Sequence, residues 1–168
     1  MDGHFTGYAS LFGVPDLGRD VVMPGAFAAS LARRGPAGVR LLFQHDPAEP
    51  IGRWLTLRED ARGLRAEGQL NLDVQRAREV DALMRQGGLD GLSIGFRTLR
   101  AGPGAGGARR LHQVDLWEIS LVTFPLQPGA RASPAPGEDP LVAEIRGLAR
   151  RIAPSRRPVP SLRLRHPS

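Results

Sequence analysis

Between Phe5 and Phe124 the chain is cut into short apolar runs, each closed by glycine, proline or aspartate turn signals. A chain punctuated this often cannot build long helices, so its core must come from paired short strands. Phe5 to Phe12 alternates as a strand and ends in Gly13-Val14-Pro15-Asp16-Leu17-Gly18. Val39 to Gln44 reads as a short buried strand, and Ile51–Arg58 with Gly63–Leu72 as a hairpin around Glu59-Asp60-Ala61-Arg62. Leu92–Leu99 and Leu111–Phe124 are the last strands, separated by the glycine-rich run 101–108. Two helices fit between them. One opens at Pro24-Gly25 and ends at Arg33-Arg34-Gly35-Pro36. The other has Asp73 as N-cap, Val74, Ala77, Val80, Leu83 and Met84 on one face, and Gly87-Gly88 as its stop. The expected class is α+β and mainly β, a small strand barrel or curved antiparallel sheet of about seven strands with peripheral helices.

The pattern changes near residue 127. Eight of the 15 prolines and a surplus of arginine fall in residues 126–168, where 8 Arg face 3 acidic residues. Residues 1–125 are close to neutral, with 15 Arg against 14 acidic residues. The reading is a domain over 1–127 followed by a Pro/Arg-rich, largely disordered tail over 128–168. Within the tail, Asp139-Pro140 and the spacing of Leu141, Ile145, Leu148 and Ile152 fit a short amphipathic helix over 139–152. Any electrostatic partner is addressed mainly by this tail.

Several chemistries are disfavoured by residue type. There is no cysteine, so disulfides, thiol nucleophiles and thiolate metal sites are absent, in keeping with a reducing compartment. All 23 basic residues are arginine, which removes a lysine nucleophile and the lysine of a phosphate-binding loop. Four histidines without an i, i+4 pair make a metal site a poor fit. The N-terminus shows no signal-peptide pattern, and no apolar run reaches the roughly 20 residues of a membrane span. A soluble intracellular protein that needs no cofactor is expected.

Against this background three polar residues stand out. Alternation places Ser93, Gly95 and Arg97 on the outward face of their strand, with Leu92, Ile94 and Phe96 inward. His45 ends the apolar run Val39–Gln44, where a neutral imidazole can serve as a base. Asp46, before Pro47, reads as a turn residue. Glu118 interrupts the apolar strand Leu116–Phe124, and a carboxylate there asks for a partner, either an arginine or an imidazole. His112 shares Glu118's parity and is the reserve candidate for the third role. Ser93, His45 and Glu118 together are the parts of a nucleophilic hydrolase. Each alone also has an ordinary reading as a strand-face, strand-end or ion-paired residue.

Several motifs occur in order: Gly7–Phe12, Met23-Pro24-Gly25-Ala26-Phe27, Leu41–Asp46, Ile51-Gly52, Gly63-Leu64, Gly91–Phe96 and Glu118–Pro125. Together, over about residues 3–132, they resemble the prohead maturation protease family of tailed bacteriophages. The resemblance implies a serine endopeptidase with a fold related to the herpesvirus assemblins, with His45 and Ser93 catalytic and Glu118 or His112 as third member. It implies a major capsid protein and its scaffolding segment as partners, self-cleavage, and a place inside the procapsid in the host cytoplasm. A gene transfer agent, a domesticated phage particle, fits the same pattern. Two other classes compete. One is an inactive scaffold or capsid-assembly factor on the same fold. The other is a basic nucleic-acid-binding protein, which the near-neutral domain disfavours.

Overall fold

The computed structural model of the chain describes residues 3–135. Eight strands form one sheet: β1 (His4–Leu11), β2 (Asp20–Val22), β3 (Arg40–Phe43), β4 (Asp46–Glu59), β5 (Gly63–Leu70), β6 (Gly91–Pro103), β7 (Arg109–Val122) and β8 (Ala132–Pro134). Two helices, α1 (Ala28–Arg34) and α2 (Gln75–Arg85), pack around it. The mainly-β class with peripheral helices is what the sequence suggested. The expected helix over 139–152 lies outside the described residues.

Strand β7 is the hub. Along one edge it pairs antiparallel with β6 over its whole length. Its other edge is shared by β2 near its start and β3 near its end, both parallel to it. From β3 the sheet continues antiparallel through β4, β5, β1 and β8. Residues 130–132 then reach back towards β6. Leu92 N–H donates to the Ala130 carbonyl at 2.9 Å, Ala132 N–H to Asp90 at 2.8 Å, and Tyr8 N–H to Arg131 at 3.1 Å. The strap between β1 and β6 curls the sheet almost into a closed circuit and limits its free edges. Gly7 makes the strap fit, because a Cβ there would lie 2.7 Å from Ala132 Cα.

The inner face carries Phe5, Leu41, Ile51, Leu64, Leu92, Leu111, Leu116, Ile119 and Leu121, all fully buried. These are the apolar positions of the predicted strands. Removing each from water contributes roughly 1.5–3 kcal/mol, and no single one dominates.

Several local expectations need correction. The sheet runs past residue 127, because β8 pairs with β1 and the strap of residues 130–132 bonds to residues 90 and 92 at the start of β6. Helix α2 begins at Gln75 with Val74 as N-cap, while Asp73 N–H is taken by the Asn71 side chain at 3.2 Å in a preceding turn. Leu83 is 43% exposed rather than on the buried face, which is Ala77, Val80 and Met84. Gly87, at φ 73°, ends the helix as expected. Ser93 is only 7% exposed, although alternation put it on the wet face. Asp16, Leu126 and Gln127 line a small cavity together with Ser93, so residues of two loops lie beside it.

Candidate active site

His45 sits on a two-residue hairpin. Phe43 pairs with Asp46, leaving Gln44 and His45 as the central residues, both with positive φ (53° and 60°). Positive φ at both central positions is the requirement of a type I′ turn, which normally recruits glycine or asparagine. Placing two bulkier side chains there costs on the order of 1–2 kcal/mol per residue, so other contacts must hold them. They come from β7 and the residue after it. Gln44 N–H donates to the Leu121 carbonyl at 3.0 Å, and the Gln44 amide donates to Thr123 Oγ1 at 2.7 Å. His45 N–H donates to Ser120 Oγ at 3.1 Å. Behind the turn, the Arg76 guanidinium lies 5.2 Å from the Phe43 ring centre and reaches Glu49 at 3.4 Å. Asp46 accepts from Ala48 N–H at 2.8 Å, the turn role expected of it.

The His45 ring meets Glu118, with Nδ1 2.6 Å from Oε1. The other carboxylate oxygen, Oε2, accepts from Ser120 Oγ at 2.6 Å. Ser120 is fully buried, so its hydroxyl ties the backbone of the histidine and the carboxylate of the glutamate to one fixed point. With Nδ1–H donated to a carboxylate, the neutral tautomer leaves Nε2 as the basic atom. Glu118 raises the His45 pKa above its ordinary value, first through this hydrogen bond and also through its charge, against the opposing effect of burial.

Glu118 reaches this face through a bulge. Gly95 pairs with Glu118, but the next residue of β6, Phe96, pairs with Leu116. Trp117 is therefore an extra residue in β7, and it reverses the side to which the following residues point. Leu116 can fill the core while Glu118 and Ser120 face the site. The bulge is braced on its N-terminal side. Trp117 Nε1 donates to Asp115 Oδ2 at 2.9 Å, and Arg34 grips the same carboxylate with two bonds of 3.0 Å. Arg33 is ion-paired to it, and Ser30 Oγ accepts the Leu116 N–H at 2.9 Å. The Arg34 and Trp117 hydrogen bonds hold the Asp115 carboxyl well below the usual carboxylate range.

Ser93 pairs with Ser120 across the β6–β7 ladder, and Gly95 with Glu118. Directly paired residues of antiparallel strands share a face, so the serine, the glycine, the glutamate and Ser120 lie on one side. Gly95 leaves the space that the glutamate uses. A Cβ there would sit 2.7 Å from Glu118 Cδ, and closer still to Oε1. The carboxylate thus lies over β6 two residues from Ser93, and it brings the imidazole to the same face. Ser93 Oγ and His45 are not hydrogen-bonded to one another, and such contacts often close only around substrate.

His112 stands apart from this group. It lies six residues before Glu118, its ring packs near Gly102, and further register shifts intervene between the two. Equal parity therefore does not give it Glu118's face. Among the described residues no cluster of three or more potential ligands is placed to hold a metal ion, and no helix is long and apolar enough to cross a membrane. Sequence reasoning missed Ser120, although its i, i+2 spacing from Glu118 was a usable signal. It also missed the Trp117 bulge, which leaves no mark in apolar periodicity.

A family profile described as caudovirus prohead serine protease matches residues 1–138. The prohead protease of Enterobacteria phage HK97 is 36% identical over 126 residues, which cover 73% of this chain and 56% of that protein. The chain thus spans little more than half the length of this relative. Among solved structures, the protease of Kaposi's sarcoma-associated herpesvirus, in complex with a hexapeptide phosphonate inhibitor, aligns with a TM-score of 0.53 at 15% identity. That alignment covers 77% of this chain and 63% of the other, a likeness of fold.

Proposed function

The chain belongs to the caudovirus prohead serine protease family, and from that premise we propose that it is a serine endopeptidase acting through Ser93, His45 and Glu118. The observation that carries this reading is the Glu118 carboxylate. It is held between His45 Nδ1 and Ser120 Oγ, over the glycine two residues from Ser93. In this mechanism Ser93 Oγ attacks a peptide carbonyl carbon while His45 Nε2 accepts the hydroxyl proton. Glu118 keeps Nδ1 protonated and stabilises the imidazolium. The imidazolium then protonates the leaving amine, the C–N bond breaks, and an acyl-serine ester remains. Water, deprotonated by Nε2, hydrolyses that ester and restores Ser93.

The proposed substrate is the scaffolding segment of a major capsid protein inside the procapsid, with self-cleavage as a second event. The arginine surplus of residues 126–168 serves recruitment of the enzyme to that assembly. The reading is tested by co-expression with a candidate major capsid protein from the same genome and intact mass of the capsid product. Wild-type enzyme should trim the capsid protein, and Ser93→Ala should leave it full length while remaining folded by circular dichroism. Undiminished trimming by folded Ser93→Ala protein would sink the serine mechanism. An untrimmed product with wild-type enzyme as well would favour an assembly factor without catalysis.

A further inference from the structure

The cavity beside Ser93 is about 20 Å³, room for roughly one water molecule and far less than a substrate side chain needs. Whatever side chain is recognised next to the nucleophile must therefore rest on the cavity's lip. That lip is made by two loops, residues 12–19 after β1 and residues 123–128 after β7. It is apolar where loops are ordinarily polar: Leu17 is 72% exposed, Leu126 49% and Val14 44%. These side chains are not loosely displayed. Gln127, itself buried, staples the loops together. It donates to the carbonyls of Leu11 at 3.0 Å and Val14 at 2.8 Å, and it accepts the Leu11 N–H at 2.6 Å. Leu17 N–H donates to the Leu126 carbonyl at 2.9 Å, so the two leucines come from directly joined backbone. Leu126 and Gln127 also line the Ser93 cavity, which makes the lip continuous with the nucleophile's surroundings.

We propose that Leu17 and Leu126, backed by Val14, form an apolar subsite for one aliphatic or aromatic side chain of the extended peptide being cut. This rests on the serine-protease reading given above. An ordered apolar surface costs its owner hydration in the free enzyme, and it recovers that cost when an apolar group covers it. Fixing the lip in advance with a buried amide lowers the ordering entropy lost on binding. The two carboxylates that line the cavity are already engaged. Asp16 accepts the Asp20 N–H at 2.9 Å, and Asp20 is ion-paired with Arg109 at 2.6 Å, so an apolar occupant meets no charge that it must strip of all partners.

The test uses the full chain and internally quenched peptides in which one position at a time is Leu or Ser. Wild-type enzyme should prefer Leu at one position by roughly 10- to 100-fold in kcat/KM, the range one apolar side chain supplies. The double variant Leu17→Ser/Leu126→Ser should flatten that preference, whereas Leu83→Ser on α2, an exposed leucine elsewhere, should not. The rate of Ser93 labelling by a small fluorophosphonate should stay within about two-fold between wild type and Leu83→Ser. An unaltered preference in the double variant overturns the subsite. So does an unaltered preference joined to a change in sedimentation, which would assign the lip to self-association. If fluorophosphonate fails to label even the wild type, the serine mechanism is what fails. The subsite is then judged by fluorescence anisotropy of the Leu peptide on Ser93→Ala protein, with or without the two lip substitutions. At least 10-fold weaker binding with them upholds it, and equal binding rejects it.

Discussion

Replacing Gly95 by alanine separates the geometry of the site from the stability of the fold. Gly95 has no left-handed φ, so alanine can adopt its backbone without strain. In a strand that exchange favours the folded state by roughly 0.5–1 kcal/mol through the entropy of the unfolded chain. The new methyl, however, falls 2.7 Å from Glu118 Cδ and 2.8 Å from Cγ. Carbon atoms do not pack closer than about 3.5 Å, so one partner must move by close to 1 Å. The backbone of β6 is locked into its ladder with β7, and the flexible glutamate is the part that gives. Its carboxylate then leaves His45 Nδ1. Losing the acid that orients a catalytic histidine costs about 10⁴-fold, and a displaced acid should cost about 10²–10⁴-fold, or roughly 3–5 kcal/mol in the barrier. The melting temperature should change by no more than about 4 °C, given 2–4 °C per kcal/mol for a chain of this size. In the free enzyme the His45 pKa, followed by the Hε1 proton resonance, should fall towards the ordinary value near 6.5. That titration needs no peptide, so it excludes a simple clash between the added methyl and substrate. Full activity in Gly95→Ala with an unchanged His45 titration would refute the argument that this glycine makes room for the acid.

Glu118→Gln should lower the His45 pKa and the cleavage rate together, about 100-fold or more in rate, while His112→Gln leaves both within two-fold; pH–rate profiles decide. Because the His45 pKa is raised, stability from its pairing with Glu118 is fully present below about pH 6.5 and is lost as pH rises through the elevated value. Chemical denaturation of wild type and Glu118→Gln should therefore diverge most at mildly acid pH and converge in the alkaline range. Asp115 has the opposite sign: its lowered pKa keeps its contribution intact above the ordinary carboxylate range and loses it only in stronger acid. Asp115→Asn should move the acid-unfolding midpoint to higher pH, read by circular dichroism. Gly7→Ala should destabilise by about 1–3 kcal/mol without touching the His45 titration, since its methyl meets the Ala132 backbone, which cannot swing aside.

What the sequence disclosed follows from what periodicity can carry. The inward leucines and isoleucines of β3 to β7 announced themselves because a buried strand must be apolar over several residues. The strands β2 and β8 have three residues each, too few for alternation to register, and β8 lies in a proline-rich stretch whose composition suggests disorder. The boundary at residue 127 was drawn too early for that reason. Ser93, His45 and Glu118 were visible because each is polar in an apolar setting. Their spatial relation was not, because it depends on the extra residue Trp117 and on two residues held at positive φ. Parity made His112 look equivalent to Glu118, and a bulge is the physical event that cancels parity.

Strand β7 also imposes an order of events on biosynthesis. The histidine turn is made early, but its anchors, Glu118 and Ser120, are translated 73 and 75 residues later. A nascent chain that has not yet released β7 has no acid for its imidazole, no ladder partner for the serine strand, and nothing to hold two residues in a strained turn. Ser93 is already synthesised at that stage, without the partners it pairs with. Parallel pairing of β3 with β7 across this long loop is slow to form, because the entropy of closing the loop must be met before the contacts reward it. Under the proposed mechanism, the grouping of Ser93, His45 and Glu118 therefore waits on the docking of this one strand.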